Sequence, residues 1–311
     1  LTADRVWYVP GEHDVGADNG ASYLARYGRG TFGGGWYSFD HSGVHFVALV
    51  NVLNLKAGGM GSLGAEQLAW LRADLGPLAD STPIVLFAHV PLWTVYPAWG
   101  WGTDDAEQAL ALVRRFGSVT VLNGHIHQIM QKVEGHVQFH TCMSTAFPQP
   151  APGRAAGPGP MIVPAERLTS VLGTTTVTFV PGRDSVAVVD ATLSGTPPAF
   201  DPAARDSLEV RDSTRRSRPL GPNEIAIDNF QFTPAVLRVS NGATVGWINQ
   251  DDVPHRIVSG ESAFQPSGVL DTGQRFTAKF TTPGTYSYYC SLHPHMQGRI
   301  EAQAGRSDGP G

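Results

Sequence analysis

A thiol, imidazoles and a thioether crowd into one stretch near the C-terminus, Tyr288-Tyr289-Cys290-Ser291-Leu292-His293-Pro294-His295-Met296. His255 stands upstream of it, after Asp251-Asp252-Val253-Pro254. A soft thiolate suits Cu(I), imidazoles suit Cu(II), and a fixed geometry acceptable to both lets an electron pass with little rearrangement. One Cys, two His and a weak axial Met are the ligand types of a mononuclear blue-copper centre. The bland alternative is a buried Cys beside ordinary surface histidines.

A second group of histidines occupies the first half of the chain, at the ends of apolar runs. Val9-Pro10-Gly11-Glu12-His13-Asp14 follows the run Val6-Trp7-Tyr8-Val9, which reads as a short strand. Phe87-Ala88-His89-Val90-Pro91 closes the run that starts at Ile84, and Asn123-Gly124-His125-Ile126-His127 closes the one that starts at Val119. Residues i and i+2 of an extended segment point the same way, so His125 and His127 are candidate ligands to one centre or to two adjacent ones. His45 lies on a buried strand and reads as packed and hydrogen-bonded, and Cys142 as a core residue.

The elements that must position these residues follow from periodicity. His45 to Val50, Ile84 to Phe87 and Val119 to Leu122 are continuous apolar runs of strand length. Leu68, Leu71, Leu75 and Leu78 recur at helical spacing after the turn Gly58-Gly59-Met60-Gly61. Asp104 and Glu107 resemble an N-cap and its partner, opening a helix that runs to Phe116. Buried strands alternating with helices imply a largely parallel sheet covered on both faces. The βαβ unit around this second helix sets the Ile84 and Val119 strands parallel, so His89, His125 and His127 open on one crevice. A Pro-rich surface loop spans 148–164, and a hairpin closes around Pro181-Gly182-Arg183-Asp184.

Residues 196–222 lose this pattern and read as a solvated linker that includes Arg211, Arg215, Arg216 and Arg218. From Asn223 short strands take over: Ile225 to Ile227, Val236 to Val239, Thr244 to Ile248, Arg256 to Val258, Arg275 to Phe280 and Thr285 to Tyr289. Asn-Gly and Pro-Gly turns separate them, as in a small Greek-key sandwich. The predicted organisation is an α/β domain over 1–195, the linker 196–222, an all-β domain over 223–303 and a tail over 304–311.

A charged fraction of 16 %, an apolar fraction of 41 % and 36 Gly describe a globular, turn-rich chain. A net charge of −5 argues against nucleic acid as a partner, because phosphate binding asks for a basic face. No apolar run reaches the roughly 18 residues of a membrane span. With only Cys142 and Cys290 present, the ligand spacing gives Cys290 a better use than a disulfide.

The sandwich with its Cys-x-x-His-x-x-Met loop resembles the cupredoxins, and the loop spacing is most like that of the amicyanin type. The resemblance implies one type 1 copper held by His255, Cys290, His293 and Met296, with His295 as the competing candidate read as exposed. It also implies electron transfer with a redox partner protein, in a periplasmic or secreted setting. The upstream segments resemble the calcineurin-like metallophosphoesterases through Gly11-Glu12-His13-Asp14, the lone His89 and Gly124-His125-Ile126-His127. That resemblance implies a phosphoester substrate and divalent Fe, Mn or Zn. Glu12, at the position of an Asn ligand, joins His89 and His125 on one metal, and His127 binds a second. His13 faces the leaving oxygen, oriented by Asp14. The Asp-x-His and Gly-Asp-x-x-Asp motifs of that family have no room before Gly11, so the chain holds half a dinuclear site. The expectation is a piece of a longer chain whose upstream part restores the enzyme. The alternative is a copper-binding, electron-transfer protein on a catalytically inactive phosphoesterase-like scaffold.

Overall fold

The computed structural model describes residues 5–16, 18–53, 55, 60–155, 157–161, 163–180, 186–195, 219–228, 230–251, 254–293 and 296–303. Gly58, Gly59, the hairpin turn at Pro181–Asp184, the linker arginines, His295 and the tail lie outside them. The chain divides into two compact units, the first formed by 1–54 and 60–211 and the second by 55–59 and 212–311.

The first unit opens with the short helices α1 (Glu12–Val15) and α2 (Ala21–Tyr27). The strands β1 (Tyr37–His41) and β2 (Val44–Ala48) then form an antiparallel hairpin. Helix α3 (Gly64–Leu75) leads to β3 (Ile84–Ala88), and helix α4 (Ala106–Val113) leads to β4 (Val119–Asn123). After them come β5 (Gln131–Glu134) and β6 (Val137–Thr141). The sheet order is β1-β2-β3-β4-β6-β5, with β2, β3, β4 and β6 parallel and an antiparallel strand at each edge.

Alternation along the parallel strands sorts the core. Ile84 and Leu86 face Leu68, Leu71 and Leu75 of α3 and Ala109, Leu110 and Val113 of α4 in one buried cluster. Val85 turns the other way and packs with Val44 and Val186. On that face lie Val177 and Phe179, contributed with Val186 by the segment of the hairpin β7 (Gly173–Thr178) and β8 (Ala187–Thr192), which follows α5 (Ala165–Val171). Helices therefore cover one face and a hairpin the other.

Three sequence expectations are corrected here. Among the described residues Val6–Val9 forms no strand: Trp7 stacks on Phe39 at 4.1 Å, and the Tyr8 carbonyl accepts the Tyr37 hydroxyl at 2.8 Å. Aromatic contact with β1, rather than a backbone ladder, fixes this segment. Helix α3 stops at Leu75, leaving Leu78 beyond Gly76. Helix α4 starts after Asp105, not Asp104, and ends at Val113 rather than Phe116. The Asp105 carboxylate reaches across to accept the Leu63 and Gly64 amides, each at 2.8 Å. It thus caps the neighbouring helix at its exposed N–H groups.

The second unit is all β: β9 (Glu224–Asp228), β10 (Gln231–Thr233), β11 (Val236–Ser240), β12 (Thr244–Asn249), β13 (Ile257–Ser259), β14 (Arg275–Lys279), β15 (Gly284–Cys290) and β16 (Gln297–Gln303). Two four-stranded sheets, β10-β9-β12-β14 and β11-β16-β15-β13, face each other. Ile225, Ile227, Val245 and Trp247 of one sheet and Leu237, Val239, Tyr288 and Ile300 of the other form one core. Trp247 and Tyr288 meet edge to face at 5.1 Å. Strands β10 and β16 are additions to the sequence reading. No helix among the described residues is long and apolar enough to cross a membrane.

Candidate metal centres

In the second unit, β13 pairs antiparallel with β15 so that Ile257 stands opposite Cys290. His255, two residues before Ile257, is pinned by a pair of backbone bonds to Leu270, its N–H donating at 3.0 Å and its carbonyl accepting at 2.7 Å. The loop after β15 closes on itself. The His293 N–H donates to the Cys290 carbonyl at 3.2 Å, the Met296 N–H to the His293 carbonyl at 2.9 Å, and the Cys290 N–H to the Met296 carbonyl at 3.1 Å. Cys290, His293 and Met296 are thereby held in one tight turn, and all three are buried with His255.

The donor atoms converge. Cys290 Sγ lies 3.6 Å from His255 Nδ1 and 3.5 Å from His293 Nδ1, and the two Nδ1 atoms are 3.1 Å apart. Bonds of about 2.0–2.3 Å from a first-row metal to imidazole and thiolate put neighbouring donors roughly 3.1–3.8 Å apart. The residues present therefore fit a copper ion bound by two nitrogens and a sulfur.

What surrounds the donors was not legible in the motif. His255 Nε2 donates to Asp251 Oδ2 at 2.8 Å, which orients the ring with Nδ1 toward Cys290 and His293. Burial alone depresses the His255 imidazole, but the Asp251 carboxylate and Cys290 override it and push it up to about 9. Asp251 is held in turn by the Phe230 amide at 3.1 Å, and its own N–H donates to Asn249 Oδ1 at 2.9 Å. Phe230 stands edge-on to His293 at 4.6 Å. The Arg256 N–H donates a weak bond to Cys290 Sγ at 3.5 Å. The four-residue interval from Asp251 to His255 was the available signal for the carboxylate.

In the first unit, His89 directly follows β3 and His125 follows β4, so adjacent parallel strands deliver them to the same sheet edge. The Gly124 N–H donates to the His89 carbonyl at 3.0 Å. Asn123 locks the approach from the other side, its Nδ2 donating to Ala88 and Val90 carbonyls at 2.8 and 3.1 Å. Glu12, on α1, completes a cluster whose ligand atoms all lie within 4.8 Å of one another. Its Oε2 is 2.6 Å from His89 Nε2 and its Oε1 is 3.1 Å from His125 Nδ1. Burial raises the Glu12 carboxyl, yet His125 and His89 outweigh it and hold it well below the usual carboxylate range. For His89 burial acts downward, and the Glu12 charge reverses it and lifts the imidazole.

His127 takes another course. Its Nδ1 donates to the Phe147 carbonyl at 2.7 Å, and burial pushes it down to about 4, so it is neutral at ordinary pH. It does not join the Glu12 cluster. His13 is half-exposed, its Nε2 3.8 Å from Glu12 Oε1. The Asp14 carboxylate accepts the Gly11 N–H at 2.9 Å and caps α1. His45 is hydrogen-bonded on both nitrogens, to Asp40 at 2.8 Å and Asp74 at 3.0 Å. His140 is buried, its Nε2 3.0 Å from Asp190 Oδ1.

Comparison with known proteins bears on the second unit. Residues 221–303 match the family model of copper-binding proteins of the plastocyanin/azurin family. The chain is 33 % identical to amicyanin-alpha of Methylorubrum extorquens over 86 residues, 26 % of this chain and 72 % of that protein. It is 35 % identical to plastocyanin of Scenedesmus fuscus over 85 residues, 23 % of this chain and 86 % of that one. It spans 61 % of the length of amicyanin from Paracoccus denitrificans. Among solved structures, the purple cupredoxin of Nitrosopumilus maritimus is 33 % identical, with a TM-score of 0.25, covering 26 % of this chain and 98 % of that one. Through its β-sandwich unit the chain belongs to the plastocyanin/azurin family of copper-binding proteins.

Proposed function

We propose that the second unit is a one-electron carrier whose type 1 copper is held by His255, Cys290, His293 and Met296. The observation that carries this reading is the convergence of His255 Nδ1, His293 Nδ1 and Cys290 Sγ within 3.6 Å of one another. Copper bound there supplies a couple that a redox partner protein loads and unloads. The protein's part is to resist rearrangement between the two oxidation states. Two backbone bonds fix His255, the closed turn fixes Cys290 and His293, and Asp251 fixes the ring orientation. Burial keeps water from the donors. A setting outside the reducing cytosol suits a copper–thiolate centre of this kind. Copper loading of the full chain gives an intense thiolate-to-copper absorption band that Cys290→Ala removes. A colourless Cu(II) complex rules out the assignment.

A second reading concerns the first unit, where Glu12, His89 and His125 meet at the C-terminal edge of parallel strands, the usual ligand position in open α/β sheets. It is metal-dependent phosphoester hydrolysis, with a divalent cation polarising the phosphoryl oxygen. Hydrolysis of an aryl phosphate with Mn, Fe or Zn added, abolished by His89→Ala and by His125→Ala, supports it. Turnover unaffected by both substitutions refutes it and leaves the unit as a scaffold for the copper domain.

A further inference from the structure

We infer that Glu12, His89 and His125 form a mononuclear two-histidine, one-carboxylate cation site with open coordination positions, rather than half of a dinuclear pair. The inference rests on the reading of this cluster as metal-binding and changes what it binds and how. Glu12 is only 8 % exposed, and its two oxygens are divided between two different rings. Its Oε2 approaches His89 Nε2 to 2.6 Å but lies off the hydrogen-bonding direction, so the buried oxygen has no hydrogen-bond partner among the described residues. A buried carboxylate oxygen and a ring nitrogen facing each other in this way point their lone pairs at common space. Donors about 2.0–2.2 Å from one ion and roughly at right angles stand about 3 Å apart, the scale of both contacts.

The neighbouring groups argue for one ion. Asp14 caps Gly11, and the Nδ1 of His127 is committed to Phe147. Glu12 is the one carboxylate of the cluster, and among the described residues this unit holds no second group of three donors. A second cation beside the first needs carboxylates to offset their mutual repulsion, and among the described residues the one beside Glu12 is Asp14, whose Oδ2 already accepts the Gly11 N–H. Two imidazoles and one carboxylate are the protein donors of mononuclear ferrous sites, which keep other positions free for exogenous ligands. One carboxylate against a divalent ion leaves a net positive charge, so the ligand class for those positions is a small oxyanion, phosphate or carboxylate. His125 and His127 both hold left-handed backbone, at φ of 66° and 52°, a conformation strained for non-glycine residues. The strand end is thus bent to bring the His125 ring inward.

The test uses the full chain, stripped of metal and loaded with one equivalent of diamagnetic Cu(I) to occupy the thiolate site. Anaerobic titration with Fe(II) is followed by metal analysis and by the electron paramagnetic resonance of the nitric oxide adduct. One iron per chain, giving a high-spin iron–nitrosyl signal, is expected. Glu12→Gln, which keeps the shape of the side chain, and His89→Ala each weaken binding at least about tenfold. Two irons per chain overturn the mononuclear assignment while leaving the metal-binding reading intact. No iron bound, or binding untouched by both variants with unchanged circular dichroism, overturns both.

Discussion

Asp251 holds the histidine that arrives from a distant strand, and its removal tests how far the copper ligands depend on their support. Without it His255 loses the partner that orients its ring, and Asp251→Ala is expected to weaken copper affinity about 10–100-fold, measured by competition with a chelator. Equal affinity shows that packing against Phe230 orients the ring by itself. Gly11 does comparable work at the other cluster, since a Cβ there meets the His89 ring at 3.0–3.2 Å. Gly11→Ala displaces that ring and lowers cation uptake, whereas Gly124, with 3.7 Å of clearance, tolerates the same change. His45 makes one contribution to the pH dependence of the first unit. Burial lowers it, but Asp74 and Asp40 prevail and raise it above its ordinary 6.5. Its stabilisation is complete below that value and fades as pH rises through the raised folded-state pKa. The His45 contribution to this unit's thermal midpoint therefore falls as pH climbs above about 6.5, and Asp74→Asn removes that contribution. The cluster itself was readable, because Cys290, His293 and Met296 sit in one turn. Asp251, Asn123 and Phe230 act through contacts that only a folded backbone creates.

At the level of elements, one tight constraint lies where β16 crosses the face of Tyr288. A Cβ on Gly298 stands 2.4 Å from the Tyr288 ring, and that ring is fully buried against Trp247. Gly298→Ala overpacks the sandwich and is expected to cost about 1–3 kcal/mol in denaturant titration. A cost near zero means that the ring has another place to go. The buried parallel strands β2, β3 and β4 announced themselves as apolar runs, and α3 and α4 as leucine and alanine stripes. Their ends were less legible: Asp105 chose where α4 begins by capping α3, a decision made between helices. Strand β5 is exposed along its whole length, so it carries no hydrophobic alternation to detect. In β10 and β16 polar residues interrupt the pattern and pairing partners supply the order. Val6–Val9 failed in the opposite sense, its apolar side chains joining an aromatic stack rather than a ladder.

On the scale of the whole molecule, two separate hydrophobic cores each carry a donor cluster of their own. Unfolding is expected in two steps by calorimetry. Copper should raise only the step that belongs to the sandwich, by about 2.7 kcal/mol when free copper stands at a hundred times its dissociation constant. A single transition, or equal shifts in both, contradicts independent cores. Global stability nonetheless says little about Glu12, because α1 is a four-residue turn closed by Asp14 and Gly16 onto Gly11 and Glu12. So short a helix is marginal in water unless something outside it holds it together. Its opening leaves the sheet behind it intact. The protection of the Asp14 and Gly16 amides against deuterium thus becomes a local gauge of cation occupancy, reading the site while the rest of the domain stays silent.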